Sequence, residues 1–320
     1  MIPAPDPDVP PGPVQTPNLP LRAFAPAKIN LGLFLGPHRP DTRHELVSVM
    51  QSISLADELT LEEAPGASGD EVLCPGVPGE NLAALALASF REATAWDAPP
   101  LRLTIDKRIP MAAGLGGGSA DAAAALRLAH VASGLGDEGL LFVLASKLGA
   151  DVPAQVTPGR YLASGAGEVL EALPDPVSPF GLLVLPQAAM LSTAEVYAAA
   201  DRLGLAREAS ALQERRLAFK AAFELGTALP ADTRLLHNDL QAAAIDLCPE
   251  IKPALRRASE AGAELALVSG SGPTVLGLFA RANGSVRAER AAAGLAGLEP
   301  APVTATPVGP GFGAVQQVRT

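Results

Sequence analysis

Two cysteines, Cys74 and Cys248, are too few and too far apart in this 320-residue chain for a disulfide framework or a structural zinc site. A reducing, cytoplasmic setting is the expectation. Neither cysteine has a histidine partner in a nucleophile motif, so both read as inert. No uninterrupted apolar run reaches the ~18 residues a membrane span requires. The first twenty residues hold no lysine or arginine and no apolar stretch, unlike a signal peptide. Positive charge is also scarce: 24 basic against 34 acidic residues leave a net charge of -10. That balance excludes nucleic acid as the main partner, because phosphate-backbone binding needs a concentrated basic surface. Only five of the basic residues are lysines, so each is worth locating. His38, His130 and His237 show no metal-ligand spacing, and no protein-bound metal is read from the sequence.

What is present fits a folded enzyme of two domains. Residues 1–20 carry eight prolines and read as a disordered extension. Order is expected from Leu21, with LRAFAPAKINLGLFL forming two short strands around a Pro26–Ile29 bend. Residues 45–61 read as a turn followed by paired strands, against a competing helical period. Asn81 should cap a helix to Thr94, residues 101–110 alternate as a strand, and residues 137–148 form a helix closed by Gly149. A strand pair in RYLASGAGEVLEAL completes a first domain at 21–175. LPDPVSP reads as a linker. A second domain at 176–320 follows as strand, helix, helix, strand, strand, helix, an α+β pattern.

The most informative stretch runs from Pro110 to Ala120. Gly114, Gly116, Gly117 and Gly118 remove side chains that would keep backbone amides from closing around an anion, and a helix follows at once. Ser119 or Asp121 should cap that helix. No lysine follows the glycines as in a Walker A loop, and Ser119 stands where a Rossmann fingerprint needs glycine. A glycine cluster alone is as readily a flexible turn before a helix. Three consecutive glycines, however, cost backbone entropy that a close main-chain approach repays.

PMAAGLGGGSADAA at 110–123, PAKINLGL at 26–33 and SGSGPTV at 269–275 occur in the order found in the GHMP kinase superfamily, which the chain resembles. RPDTRHEL, QSISLADEL, LGADVPA, GAGEVLEAL, STAEVY and NDLQ extend the likeness from Ala23 to Phe279. The resemblance implies a two-domain α+β fold: an N-terminal ribosomal protein S5-like α/β domain and a C-terminal ferredoxin-like α+β domain. It implies ATP with Mg²⁺ and phosphoryl transfer to the hydroxyl of a small alcohol carrying a cytidine diphosphate. Homoserine- or mevalonate-type kinases are alternatives, as is a non-catalytic nucleotide-binding regulator. A monomer or weak homodimer is expected.

By the same resemblance, Asp151 is the general base and Lys28 the catalytic lysine. Pro110, Met111, Ala112, Ala113, Gly114, Leu115, Gly116, Gly117, Gly118, Ser119, Ala120 and Lys107 hold the nucleotide. Asn30, Arg43, His44, Thr193 and Tyr197 hold the alcohol. The blander reading makes Asp151 a turn residue, Lys28 and Lys107 strand ends, His44 a surface histidine and Tyr197 a packing residue. One departure stands out: the family has Gly-Tyr where Thr42-Arg43 lies here. A guanidinium face can replace an aromatic plate over a base.

Overall fold

The computed structural model describes residues 19–77 and 79–318. Most of the proline-rich extension expected at 1–20 therefore lies outside the described residues. Its first strand, β1 (Leu21–His38), is continuous, where two short strands were expected. Register shifts against its partner between Pro26 and Lys28 and between Asn30 and Gly32 absorb the bend, so the chain bulges and does not break. β2 (His44–Glu63) is likewise one strand in place of the expected turn and strand pair. It stays straight enough to pair β1 along its length, and it takes β4 or β5 on its other edge at different levels.

β3 (Glu71–Leu73), α1 (Leu82–Thr94), β4 (Leu101–Asp106), α2 (Gly117–Ser133), α3 (Glu138–Leu148), the single turn α4 (Pro153–Val156), β5 (Arg160–Ser164) and β6 (Val169–Leu173) follow. Asn81 caps α1 as expected, its Oδ1 accepting from Ala83 N at 2.9 Å. α2 runs directly beneath the sheet because Ala120 and Ala122–Ala125 are all buried and carry no bulk, which lets the helix approach closely.

The remaining elements are β7 (Gly181–Leu185), α5 (Thr193–Arg202), α6 (Ala209–Phe223), α7 (Gln241–Leu247), α8 (Ile251–Glu260), β8 (Leu265–Val268), β9 (Val275–Phe279), α9 (Gly284–Gly294), β10 (Val303–Ala305) and β11 (Gln316–Gln317). Two sheets result. The larger has the order β11-β1-β2-β4-β3 with β5 and β6 branching from β2; the smaller is antiparallel in the order β10-β7-β9-β8.

The architecture is thus an α/β N-terminal half and an α+β C-terminal half. They share a core: Ile29 and Phe34 of β1, Leu182 of β7, Leu276 of β9 and Phe219 of α6 belong to one buried cluster. α6 buries only Leu212, Phe219 and Phe223, too sparse a stripe for periodicity to announce it. β11 returns to pair with β1, so the C-terminal segment closes back onto the first sheet. Among the described residues no helix is long and apolar enough to cross a membrane.

Candidate active site

The bulge in β1 gives Lys28 its position. Its backbone N–H leaves the strand ladder and donates to Leu115 O at 2.9 Å, tying the strand to the glycine loop. Its ammonium, almost fully buried, donates to Asn30 Oδ1 at 3.0 Å and lies 3.2 Å from Asp151 Oδ2. Asn30 in turn donates to Ser48 Oγ at 2.7 Å, and Ser48 donates to Gly32 O at 2.8 Å. This relay across β1 and β2 leaves the lysine one direction in which to point. Asp151 sits in the turn between α3 and α4, with its carboxylate partly open to the cavity.

The loop is held from the second half of the molecule. Ser269 Oγ donates to Gly114 O at 3.2 Å. Asn238 holds the facing Ser269–Thr274 turn by donating to Val268 O at 2.9 Å and Gly270 O at 2.7 Å. Gln241 accepts from Val268 N at 3.0 Å. These bonds give the NDLQ string its structural meaning. Gly114 and Gly116 take φ of +74° and +68°, a region costly for any residue with a Cβ. A Cβ on Gly116 would also stand 2.9 Å from Lys28 Cγ.

α2 begins at Gly117 with Gly116 at the cap and no side-chain cap bond. This corrects the expectation that Ser119 or Asp121 caps it: both lie inside the first turns. The first amides of the helix are left without intrahelical partners at the cavity wall. Nothing lies within 4 Å of the position a Cβ would take on Gly118.

Lys107, just beyond β4, is more than a charged strand end. Its ammonium reaches Asp57 Oδ2 at 2.5 Å and Asp121 Oδ2 at 2.8 Å. Burial works against its charge, but the two carboxylates outweigh that and raise its pKa. Asp57 Oδ1 also accepts from Arg108 N at 2.5 Å and Ile109 N at 2.8 Å, which fixes the start of the loop. Burial, opposed by Lys107 and reinforced by Asp57, lifts the Asp121 carboxyl to about 7. Asp121 Oδ1 is buried with no hydrogen-bond partner.

The far end is built by the β1–β2 hairpin and α5. His44, expected as either a ligand or a surface residue, is buried at 4% exposure. Its ring lies 5.7 Å from that of Tyr197. Burial and the charge of Asp151 push the Tyr197 hydroxyl up to about 12, so it stays protonated. Thr193 Oγ1 lies 3.1 Å from Ser271 Oγ. Arg43 is exposed and held by Asp41 through Nε at 3.0 Å and Nη2 at 2.7 Å.

A cavity of about 1110 Å³ joins these groups. Every residue singled out from the sequence borders it except Ala120, which is fully buried against the core. Ala120 is therefore a packing residue, a correction that follows from α2 starting earlier than expected. Asp57 and Ser48 were not singled out for roles, because nothing local marks them; only the tertiary fold brings Ser48 to the cavity and Asp57 to Lys107.

The geometry has counterparts. Residues 81–159 match the model of the GHMP kinases N terminal domain and residues 218–296 that of the GHMP kinases C terminal. A 4-diphosphocytidyl-2-C-methyl-D-erythritol kinase of Gloeobacter violaceus is 40% identical over 285 residues, covering 87% of this chain and 90% of its own length. One of the same name from Salinispora arenicola is 38% identical over 311 residues, with 92% and 94% covered. This chain belongs to the 4-diphosphocytidyl-2-C-methyl-D-erythritol kinase family of GHMP kinases.

Solved structures agree. A crystal structure of 4-(cytidine 5'-diphospho)-2C-methyl-D-erythritol kinase superposes with a TM-score of 0.72 at 32% identity, covering 90% of this chain and 99% of that one. Homoserine kinase from Cytophaga hutchinsonii gives 0.71 over 95% and 99% at only 16% identity, a likeness of fold alone. Fold similarity does not separate the two chemistries, whereas sequence identity does.

Proposed function

We propose that this chain transfers the γ-phosphoryl group of ATP to the 2-hydroxyl of 4-diphosphocytidyl-2-C-methyl-D-erythritol, a step of the non-mevalonate isoprenoid route. The observation carrying this reading is the 3.2 Å contact between Lys28 Nζ and Asp151 Oδ2 beside the glycine loop. Asp151 accepts the proton of the attacking hydroxyl, a contribution worth roughly 10²- to 10⁴-fold. Lys28 offsets charge gathering on the transferring group. Free amides of residues 114–119 and the N-terminus of α2 hold the triphosphate, while Lys107 borders the same end.

The wall also suits Mg²⁺. Asp121 Oδ1 is a hard oxygen buried without a partner, and Ser119 borders the same cavity. These two residues would hold the ion, which neutralises phosphate charge when bound. Asn30 orients the methylerythritol end; His44, Thr193, Tyr197 and Arg43 form the cytidine end. Tyr197 offers an apolar face for stacking, and His44 offers a fixed polar edge. The S5-like and ferredoxin-like descriptions of the two halves, with domains at 21–175 and 176–320, belong to this reading, as do a cytoplasmic location and a monomeric or weakly dimeric state.

The test is ATP turnover measured with the cytidylyl alcohol, homoserine and mevalonate in parallel. Turnover with the first alone is expected. Activity confined to either of the others would overturn the substrate, and none with any would overturn the kinase reading.

A further inference from the structure

We propose that His38, His44 and Asp201 form a binding site for a zinc-class divalent cation at the lip of the cavity. Their three ligand atoms all lie within 4.8 Å of one another, and all three residues border the cavity.

Tautomers carry the argument. His44 Nδ1 is 2.8 Å from Gly36 O, and His38 Nδ1 is 3.3 Å from Thr42 O. A carbonyl oxygen only accepts, so both rings place a proton on Nδ1. In the neutral ring Nε2 then carries a lone pair. His38 Nε2 is at hydrogen-bond distance from Asp201 Oδ1, 3.1 Å, so that ring is an imidazolium unless a cation takes the place of its Nε2 proton, while His44 Nε2 lies 2.9 Å from the same oxygen. His44 Nε2 is close to that oxygen yet not aligned to hydrogen-bond with it, which leaves it a buried nitrogen without a partner.

Either a proton on His38 Nε2 or a metal cation among the three atoms supplies the positive charge this arrangement needs, and only the cation also gives the buried His44 Nε2 a partner. Two imidazoles fixed by Nδ1–H to backbone carbonyls, plus one carboxylate, is the donor set of an open zinc site, with a fourth position left for water. Tetrahedral zinc with bonds near 2 Å separates its ligands by about 3.3 Å, so the two Nε2–Oδ1 spacings need only a slight expansion. The hairpin places both histidines on one side, their rings 3.9 Å apart, and α5 presents Asp201 opposite. Sequence spacing hides the site because the third ligand is distant in the chain.

Such an ion would occupy the end assigned above to cytidine, and this consequence rests on that assignment. It makes zinc a competitive inhibitor toward the cytidylyl alcohol and not toward ATP.

The experiment is calorimetric titration of the chelator-treated full chain with ZnCl₂, and with CoCl₂ followed by visible absorption. One equivalent is expected, with the intense bands of four-coordinate cobalt. His38→Ala and Asp201→Asn should each weaken binding by about tenfold or more. No saturable binding, or binding indifferent to both changes, overturns the site. In the kinase assay, His38→Ala should keep turnover while losing zinc sensitivity. Stoichiometric binding without competition would uphold the cation site and overturn the cytidine placement.

Discussion

Lys28 Nζ stands 3.2 Å from Asp151 Oδ2, joining a bulged strand to a helix-connecting turn far along the chain. The pair is asymmetric: Lys28 is nearly enclosed, while Asp151 keeps part of its carboxylate open to the cavity. An aspartate whose only task was to neutralise a buried lysine would have no need of that open face. Asp151→Asn should therefore lower kcat by roughly 10²- to 10⁴-fold while ATP affinity changes little. Steady-state kinetics with nucleotide titration reads both. A variant of undiminished kcat would remove Asp151 as the base.

Two glycines of the same loop should behave oppositely. A Cβ on Gly114 would press into Ser269 O and stand 2.9 Å from Gly272 N, at a φ of +74°. Gly114→Ala should cost about 1–3 kcal/mol of stability, read from urea denaturation. On Gly118 a Cβ meets nothing within 4 Å. Gly118→Ala should leave stability equal or slightly higher, since alanine favours the helix. It should nonetheless raise the KM for ATP, because the methyl enters the space read as the phosphate cradle.

Burial lifts the Asp121 carboxyl from 3.8 to about 7. Between those values the folded chain binds a proton that the unfolded chain has released. The stability this residue contributes is thus complete below pH ~4 and is lost as pH rises toward ~7. Urea midpoints compared between the wild type and Asp121→Asn should show the wild type losing ground across that window. A constant difference would mean that Lys107 holds the carboxylate ionised throughout.

Arg43 is exposed and anchored by Asp41 at the edge of the cavity. If its guanidinium face covers the cytosine, Arg43→Ala should raise the KM for the cytidylyl alcohol several-fold and leave that for ATP unchanged. Equal effects on both, or none, would place Arg43 outside the site.

How far the site was legible from sequence depended on whether the signal was local. The glycine loop announces itself because four glycines at 114–118 make a local pattern, the one that anion binding by amides would demand. Lys28 and Asp151 stand out only through matched motifs, since their contact exists only once β1 bulges and α3 ends. The long strand β1 reads as two from the sequence because Pro26 imitates a turn, and β2 as a turn and strand pair because its helical period competes with its alternation. Burial between two packed halves overrides that local preference. Asp57 leaves no trace at all in spacing and Asp121 reads only as a helix cap, yet both pair with Lys107 inside the wall.

Thr42 occupies a left-handed conformation at φ +67°, in the turn leading into β2. A β-branched residue there is strained, and a glycine would carry no such penalty. The turn is instead fixed by neighbours: Thr42 N donates to Arg39 O at 3.0 Å, and Arg39 N donates to Arg43 O at 2.7 Å. Thr42→Gly should keep those bonds and relieve the strain, raising stability by about 1 kcal/mol even after the added freedom of glycine in the unfolded chain. Because Thr42 O also faces His38 Nδ1 at 3.3 Å, the same turn positions that ring. Denaturation midpoints check the gain in stability. A loss would show that the threonine side chain holds the hairpin in a way its backbone bonds do not.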